Sequence, residues 1–356
     1  MPKTAPCLKL PKFYGEKVII SAHKLGIIDK ELKIQRDNNY IYVPLVRSPQ
    51  SDEFEKLREY SPTIEVLTYT FPEQRKKPKT IHEALEDKMP PHLLACLPRA
   101  IDFVGDIAII EIPPELEAYK TEIGNAVLQV HKNVQTVLAK AGAVKGEYRL
   151  REFHVIAGKA KTETIHKEHG CQFYIDLAKA YFSPRLSHEH MRVASAVKEG
   201  ETVIDMFTGV GPFAILIAKT HVNVKVYAID INPDAIQLLK RNVRLNRVNG
   251  KVYPTLGDAR QIIKQQLCGI ANRVIMNLPE KAIAFVDAAC EALKPEGGVI
   301  HFYSFVKGLN GLEDLKAKFI AEVEKHGLSV RTILFSRLVR ETAPYEWQAV
   351  IDAEIC

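Results

Sequence analysis

The sequence predicts an α/β protein whose C-terminal half folds around a seven-stranded, mostly parallel sheet, preceded by an α+β domain and a small N-terminal α/β domain. Three observations lead there. From about residue 186 apolar runs alternate regularly with amphipathic helical stretches, the pattern of a parallel sheet with crossovers. The first of these runs ends in a glycine-bearing turn that opens a helix. At 356 residues the chain also exceeds what a single core usually supports, so several domains are expected.

The seven strands are expected at 202–206, 224–229, 251–255, 272–277, 298–304, 328–337 and 346–355. No helix separates the last two, so the final strand should enter antiparallel. Ahead of this domain, residues 1–60 combine an apolar segment at Cys7, an amphipathic stretch over Gly15–Leu25 and a hairpin-like pair around Asp37-Asn38-Asn39. Residues 61–100, with Arg75, Lys76, Lys77 and Lys79 between Pro72 and Pro78, read as a basic linker. Residues 101–185 read as the α+β domain: a strand over 106–112, a helix over 116–141, a strand over 147–155, and a hairpin turning at Glu168-His169-Gly170. The C-terminal domain, 186–356, is expected to fold alone.

An apolar share of 46% and a charged share of 26% are those of a soluble globular chain. The net charge of +6 is concentrated: residues 1–50 hold nine Lys and Arg against four acids, which suits a polyanionic partner as well as a solvated surface. Six scattered cysteines without a CxxC pair indicate neither a zinc knuckle nor a disulfide framework, and free thiols fit a reducing, cytoplasmic setting. The N-terminal residues lack the apolar core of a signal peptide, and no apolar run is long enough to span a bilayer, so no membrane association is expected.

The turn after the first strand, Thr208-Gly209-Val210-Gly211-Pro212, brings backbone close to a ligand at a helix N-terminus. Asp205 at that strand end would repel a pyrophosphate and suit a cationic sulfonium. Asp230, ending the second strand about twenty residues past the glycines, is placed to accept from a ribose diol. Asp258, followed by Ala259 after the third strand, falls near an adenine amino group. Any one of these acids alone reads better as a helix cap. Together, at successive strand ends, they point to a class I (Rossmann-like) methyltransferase domain binding S-adenosyl-L-methionine, rather than an NAD enzyme.

The fourth strand opens into Asn277-Leu278-Pro279-Glu280, which resembles the Asn-Pro-Pro-aromatic loop of amino-group methyltransferases. Glu280 replaces the aromatic, which favours chemistry at a base ring nitrogen over an exocyclic amine. The segments PCLKLPK, NNYIYVPL, GEYRLRE, TIHKEHG, DLAKAYFSPRLSHE, VIDMFTGVGPF, YAIDINPDAI and RVIMNLP together resemble the archaeal and eukaryotic-type tRNA guanosine-37 N1-methyltransferases. The resemblance implies a monomer that binds the outer corner of tRNA with its N-terminal domain and the anticodon arm with its middle domain. It implies catalytic roles for Arg149 near guanine O6, for Glu189 at the N1 proton and for Asn277. It further implies cofactor or base contacts from Tyr181, Asp205, Gly209, Gly211, Asp230, Ile231, Asp258, Ala259, Asn277 and Pro279. Burial beside the base is expected to raise the Glu189 pKa toward neutrality.

No metal is expected, since the histidine pairs His166/His169 and His188/His190 lack a third ligand at zinc spacing. Methylation of rRNA, of a protein glutamine, or of C7 in a wyosine precursor stays open as an alternative, as does a non-catalytic RNA-binding protein with a degenerate methylase fold. The intact cofactor turn argues against the last of these.

Overall fold

The computed structural model describes all residues except 1, 75–77, 143–145 and 309, and divides into two units, Met1–Lys79 and Thr80–Cys356. Arg75, Lys76 and Lys77 of the basic cluster therefore lie outside the described residues.

In the first unit, strands β1 (Lys3–Pro11), β2 (Gln35–Arg36), β3 (Tyr40–Pro44) and β4 (Glu65–Phe71) form an antiparallel sheet in the order β2-β3-β1-β4. The helix Gly15–Lys24 buries Gly15, Val18 and Ala22, a three-to-four-residue spacing that lays one face on Leu8, Leu10 and Val43. Asp37 closes the β2–β3 turn by accepting from the N–H groups of Asn39 and Tyr40 at 2.9 and 2.8 Å. Strand β4 overturns the linker reading of 61–100, because it pairs with β1 from Lys3↔Phe71 to Lys9↔Glu65. It lies at the sheet edge with mostly exposed side chains, so its sequence lacks the alternation that marks a half-buried strand.

The second unit begins with the short helices Ile81–Leu85 and Pro91–Leu94 and a four-stranded sheet. Its strands are β5 (Ile101–Val104), β6 (Ile107–Ile110), β7 (Thr136–Lys140) and β8 (Phe153–Gly158), hydrogen-bonded in chain order. The helix expected to reach residue 141 stops at Val130. Thr136–Lys140 is instead a strand parallel to β6, its β-branched residues Thr136 and Val137 fully buried. The strand expected over 147–155 starts only at Phe153. Gly146–Arg149 is a turn, with Arg149 at φ 55°, a left-handed conformation uncommon outside glycine.

The hairpin of β9 (Glu163–Glu168) and β10 (Cys171–Asp176) turns through His169 and Gly170 at φ 47° and 75°, the signs a type I′ turn requires. The free edge of β10 meets helix Pro233–Leu245 and its C-terminal extension. Asn242 accepts from Tyr174 N–H at 2.7 Å and donates to Tyr174 C=O at 3.1 Å. Asn246 does the same with Gln172, at 2.8 and 2.6 Å. Two amides one helical turn apart thus act as a substitute strand.

The seven-stranded sheet comprises β11 (Thr202–Asp205), β12 (Lys225–Asp230), β13 (Val252–Leu256), β14 (Arg273–Met276), β15 (Gly298–Lys307), β16 (Val330–Ala343) and β17 (Glu346–Ile355). The order is β13-β12-β11-β14-β15-β17-β16; the final strand β17 enters antiparallel, as the sequence predicted, and lies between β15 and β16. Alternate residues of β11 face two cores, Val203 one and Ile204 the other. The first core runs without a break from Val104, Leu138 and Phe173 into Val203 and Phe213, so no core boundary falls at residue 186. Among the described residues no helix is long and apolar enough to cross a membrane.

Candidate active site

The parallel strands β11 to β14 all end at one edge, and their following loops line a single cavity. The first loop is pinned on both sides: Met206 N–H bonds Ile275 C=O at 3.1 Å and Thr208 N–H bonds Ile229 C=O at 2.9 Å. Gly209 adopts φ 56° and its N–H donates to Asp230 Oδ2 at 2.7 Å, so the left-handed turn aims a donor at the acid. Gly211, at φ 90°, does not line the cavity. A Cβ there would come within 2.3 Å of Leu239 Cδ1, which makes this glycine a requirement of helix packing.

Asp230 lines the cavity and accepts from Asn232 N–H through Oδ1 at 2.9 Å, with the Ile231 N–H also facing the carboxylate. Burial pushes its pKa up, against the backbone N–H groups of Asn232 and Gly209. Ile231 and Ala259 line the same wall. Asp258 lines it too while capping the helix Ala259–Ile262, accepting from Gln261 N–H at 3.1 Å, so the capping reading and the site reading hold together.

Asp205 is placed differently from the expectation. It is fully buried and does not line the cavity, and among the described residues its carboxylate has only the Thr208 side chain and the Phe207 N–H close by, neither at full hydrogen-bond geometry. Burial, opposed by the nearby Thr208 side chain, raises its pKa to about 7. It can act on a cavity ligand through the field rather than by contact.

The other side of the cavity is built from Arg149, Tyr181 and the loop after β14. Arg149 pairs with Glu280 at 3.4 Å and lies 5.3 Å from the centre of the Tyr181 ring, while its Nε is buried without a partner. The Leu278 carbonyl accepts from the N–H groups of Lys281 and Ala282 at 2.9 and 2.8 Å. The Pro279 carbonyl accepts from Phe305 N–H and the Ser304 hydroxyl, both at 3.2 Å. The two carbonyls that would receive an exocyclic amine are therefore occupied within the protein. Asn277 remains, with Oδ1 accepting from Gln348 at 3.2 Å.

Glu189 sits on the helix Ser187–Ala196, 1% exposed, and is not part of the cavity wall, whereas its neighbour His190 is. Its Oε2 accepts from the Tyr303 hydroxyl at 2.8 Å and from Arg192 at 2.9 and 3.0 Å. Its Oε1 is covered by Arg337. Burial alone would raise its pKa, but Arg192, Tyr303 and Arg337 outweigh that and hold it below the ordinary glutamate value, the reverse of the sequence expectation. The expected pairs are regrouped: His190 bonds Glu168 Oε1 at 2.7 Å and His166 lies 3.6 Å from Glu168 Oε2, while His169 bonds the Ser187 carbonyl at 2.9 Å and His188 accepts from Arg337 at 3.0 Å. Cavity residues the sequence did not signal include Phe285, Phe305, Arg340 and Gln348. The last three come from β15, β16 and β17, whose insertion order no local motif announces.

Comparison with known proteins agrees with this arrangement. Residues 164–330 match the TRM5/TYW2 methyltransferase domain, residues 81–162 the TYW2 N-terminal domain, and residues 7–54 the tRNA methyltransferase 5 N-terminal domain. The tRNA (guanine(37)-N(1))-methyltransferase Trm5b of Pyrococcus abyssi is 40% identical over 355 residues, 98% of each chain. The tRNA 4-demethylwyosine(37)-methyltransferase Taw21 of Saccharolobus solfataricus is 36% identical over 255 residues, 71% of this chain and 93% of its own. A structure of aTrm5 in complex with tRNALeu superposes with a TM-score of 0.77 at 34% identity, covering 98% of this chain and 99% of that one. From its cofactor-turn geometry, strand order and end-to-end similarity, this chain belongs to the TRM5/TYW2 methyltransferase family.

Proposed function

We propose that this chain transfers a methyl group from S-adenosyl-L-methionine to N1 of guanosine 37 in tRNA. The carrying observation is coverage: the Trm5b relationship takes in 98% of the chain, including the N-terminal unit, whereas the Taw21 relationship takes in 71%. The occupied Leu278 and Pro279 carbonyls support a ring nitrogen over an exocyclic amine as the target.

The residues present fit the cofactor: Asp230 is a cavity-lining acceptor placed for a ribose diol, and Asp205 is a fully buried carboxylate that favours a nearby positive charge. When bound, S-adenosyl-L-methionine supplies an electron-poor methyl group on a sulfonium. Guanine N1 carries a proton at neutral pH, so attack requires its removal while negative charge builds toward O6. Arg149, a cavity-lining cation held in a left-handed turn, takes the role of stabilising that charge. Glu189 takes the N1 proton on Oε1 once the Arg337 contact opens, while Arg192 and Tyr303 keep Oε2 in place. The basic N-terminal unit binds the outer corner of the tRNA and the middle segment holds the anticodon arm.

The test uses a full-length tRNA transcript with G37 and the same transcript with A37, and follows label from S-adenosyl-L-methionine. Transfer confined to the G37 transcript is expected; equal labelling of both would place the target elsewhere.

A further inference from the structure

Three side chains from separate strand ends form a hydrogen-bond chain that terminates in the cavity. Arg340 on β16 donates from Nε to Gln348 Oε1 at 2.9 Å, and Gln348 on β17 donates from Nε2 to Asn277 Oδ1 at 3.2 Å. Arg340 is itself fixed by donating to the Ser183 hydroxyl at 2.9 Å and the Tyr181 hydroxyl at 3.3 Å. Register makes the contact obligatory, since Arg340 and Gln348 are cross-strand partners, and Gln348 is 1% exposed.

The polarity of this chain is set at one end. A guanidinium has only donors, so Gln348 must turn its carbonyl oxygen to Arg340 and its NH2 to Asn277. Asn277 must then turn its own oxygen to Gln348, and its NH2 is the end left for the cavity, where it donates to no described residue. An asparagine amide is otherwise free to present either face. With the Leu278 and Pro279 carbonyls occupied, this part of the site offers donors and withholds acceptors.

We propose that Gln348, oriented by Arg340, is a positioning residue that fixes the Asn277 amide with its NH2 toward the target base, so that the site selects a base carrying a carbonyl oxygen beside the methylated nitrogen. The proposal rests on the guanosine reading above and deepens it. Adenine, with an amino group at that place, would set donor against donor.

Gln348→Glu inverts the chain without changing its shape: one carboxylate oxygen still meets Arg340, the other now demands a donor from Asn277, and the Asn277 oxygen swings to the cavity. Single-turnover transfer to G37 tRNA should fall on the order of 10²-fold, the usual cost of one lost oxyanion donor, with tRNA and cofactor dissociation constants little changed. Replacing O6 of guanosine 37 by sulfur, a weaker acceptor, should slow the wild type clearly and Gln348→Glu less, the Arg149 contact to the same atom being common to both. Side-chain amide hydrogen exchange in the free, 15N-labelled protein reads the geometry without the reaction. In the wild type the Gln348 NH2 should be protected and the Asn277 NH2 fast; in Gln348→Glu the Asn277 NH2 should become protected. Unchanged Asn277 exchange, or a rate loss with an undiminished sulfur effect, would overturn the proposal. A wild type with the expected exchange pattern but no transfer to G37 would overturn the guanosine reading instead.

Discussion

Glu189 carries its charge between two arginines and a tyrosine hydroxyl, and this decides how its chemistry depends on pH. Its pKa lies below the ordinary glutamate value, so the carboxylate is ionised across the neutral range. Glu189→Gln is expected to lower single-turnover methyl transfer by about 10²- to 10⁴-fold with affinities little altered, the usual contribution of a general base. The wild-type rate should show no ionisation of Glu189 near neutral pH; a break there that the Gln variant abolishes would contradict the ion-paired state. Asp205 behaves in the opposite way. Its pKa, raised by burial to about 7, brings its titration into the neutral range, and a cationic ligand nearby favours the ionised form. Cofactor binding should therefore release protons, and affinity should weaken as pH falls below about 7. Calorimetry in two buffers of different ionisation enthalpy measures this, and identical heats in both would remove Asp205 from the cofactor's field. Both acids were legible in the sequence as site candidates, but neither protonation state was. The sequence could not show that Arg192 and Arg337 converge on Glu189, or that Asp205 does not line the cavity.

At the scale of elements, the crossover rhythm of β11 to β14 was readable from periodicity because apolar strands such as β11 and β14 are bounded by helix signals, and the antiparallel final strand because no helix precedes it. Strand β7 was absorbed into the preceding helix because Thr136–Lys140 follows it without a glycine or proline between them. The β9–β10 hairpin was placed on the wrong side of a boundary, since its attachment runs through Asn242 and Asn246, some seventy residues later. A fragment starting at residue 186 would expose the apolar partners of Phe173 and Ile175 to water and strip Asn242 and Asn246 of their bonds to Tyr174 and Gln172. That fragment is expected to unfold or aggregate, while one starting at residue 160 keeps the hairpin and binds S-adenosyl-L-methionine. The match to the family's methyltransferase domain, 164–330, likewise begins inside β9. Cofactor binding by the 186 fragment, measured calorimetrically, would show the hairpin to be dispensable.

For the whole molecule, the excess of Lys and Arg falls in the N-terminal unit and suits a polyanionic partner, while the cavity of the second unit gathers Asp230 and Asp258 at strand ends and Arg149 from the Gly146–Arg149 turn. Relatives act, by their names, on N1 of guanine 37 or on C7 of 4-demethylwyosine 37. The atom modified is therefore the central question. The most direct measurement incubates unmodified full-length tRNA with the protein and S-adenosyl-L-methionine, digests the product, and identifies the nucleoside from position 37 by mass spectrometry against standards. The account predicts 1-methylguanosine; a guanosine methylated at another atom, an aminocarboxypropyl adduct, or unmodified guanosine 37 would contradict it.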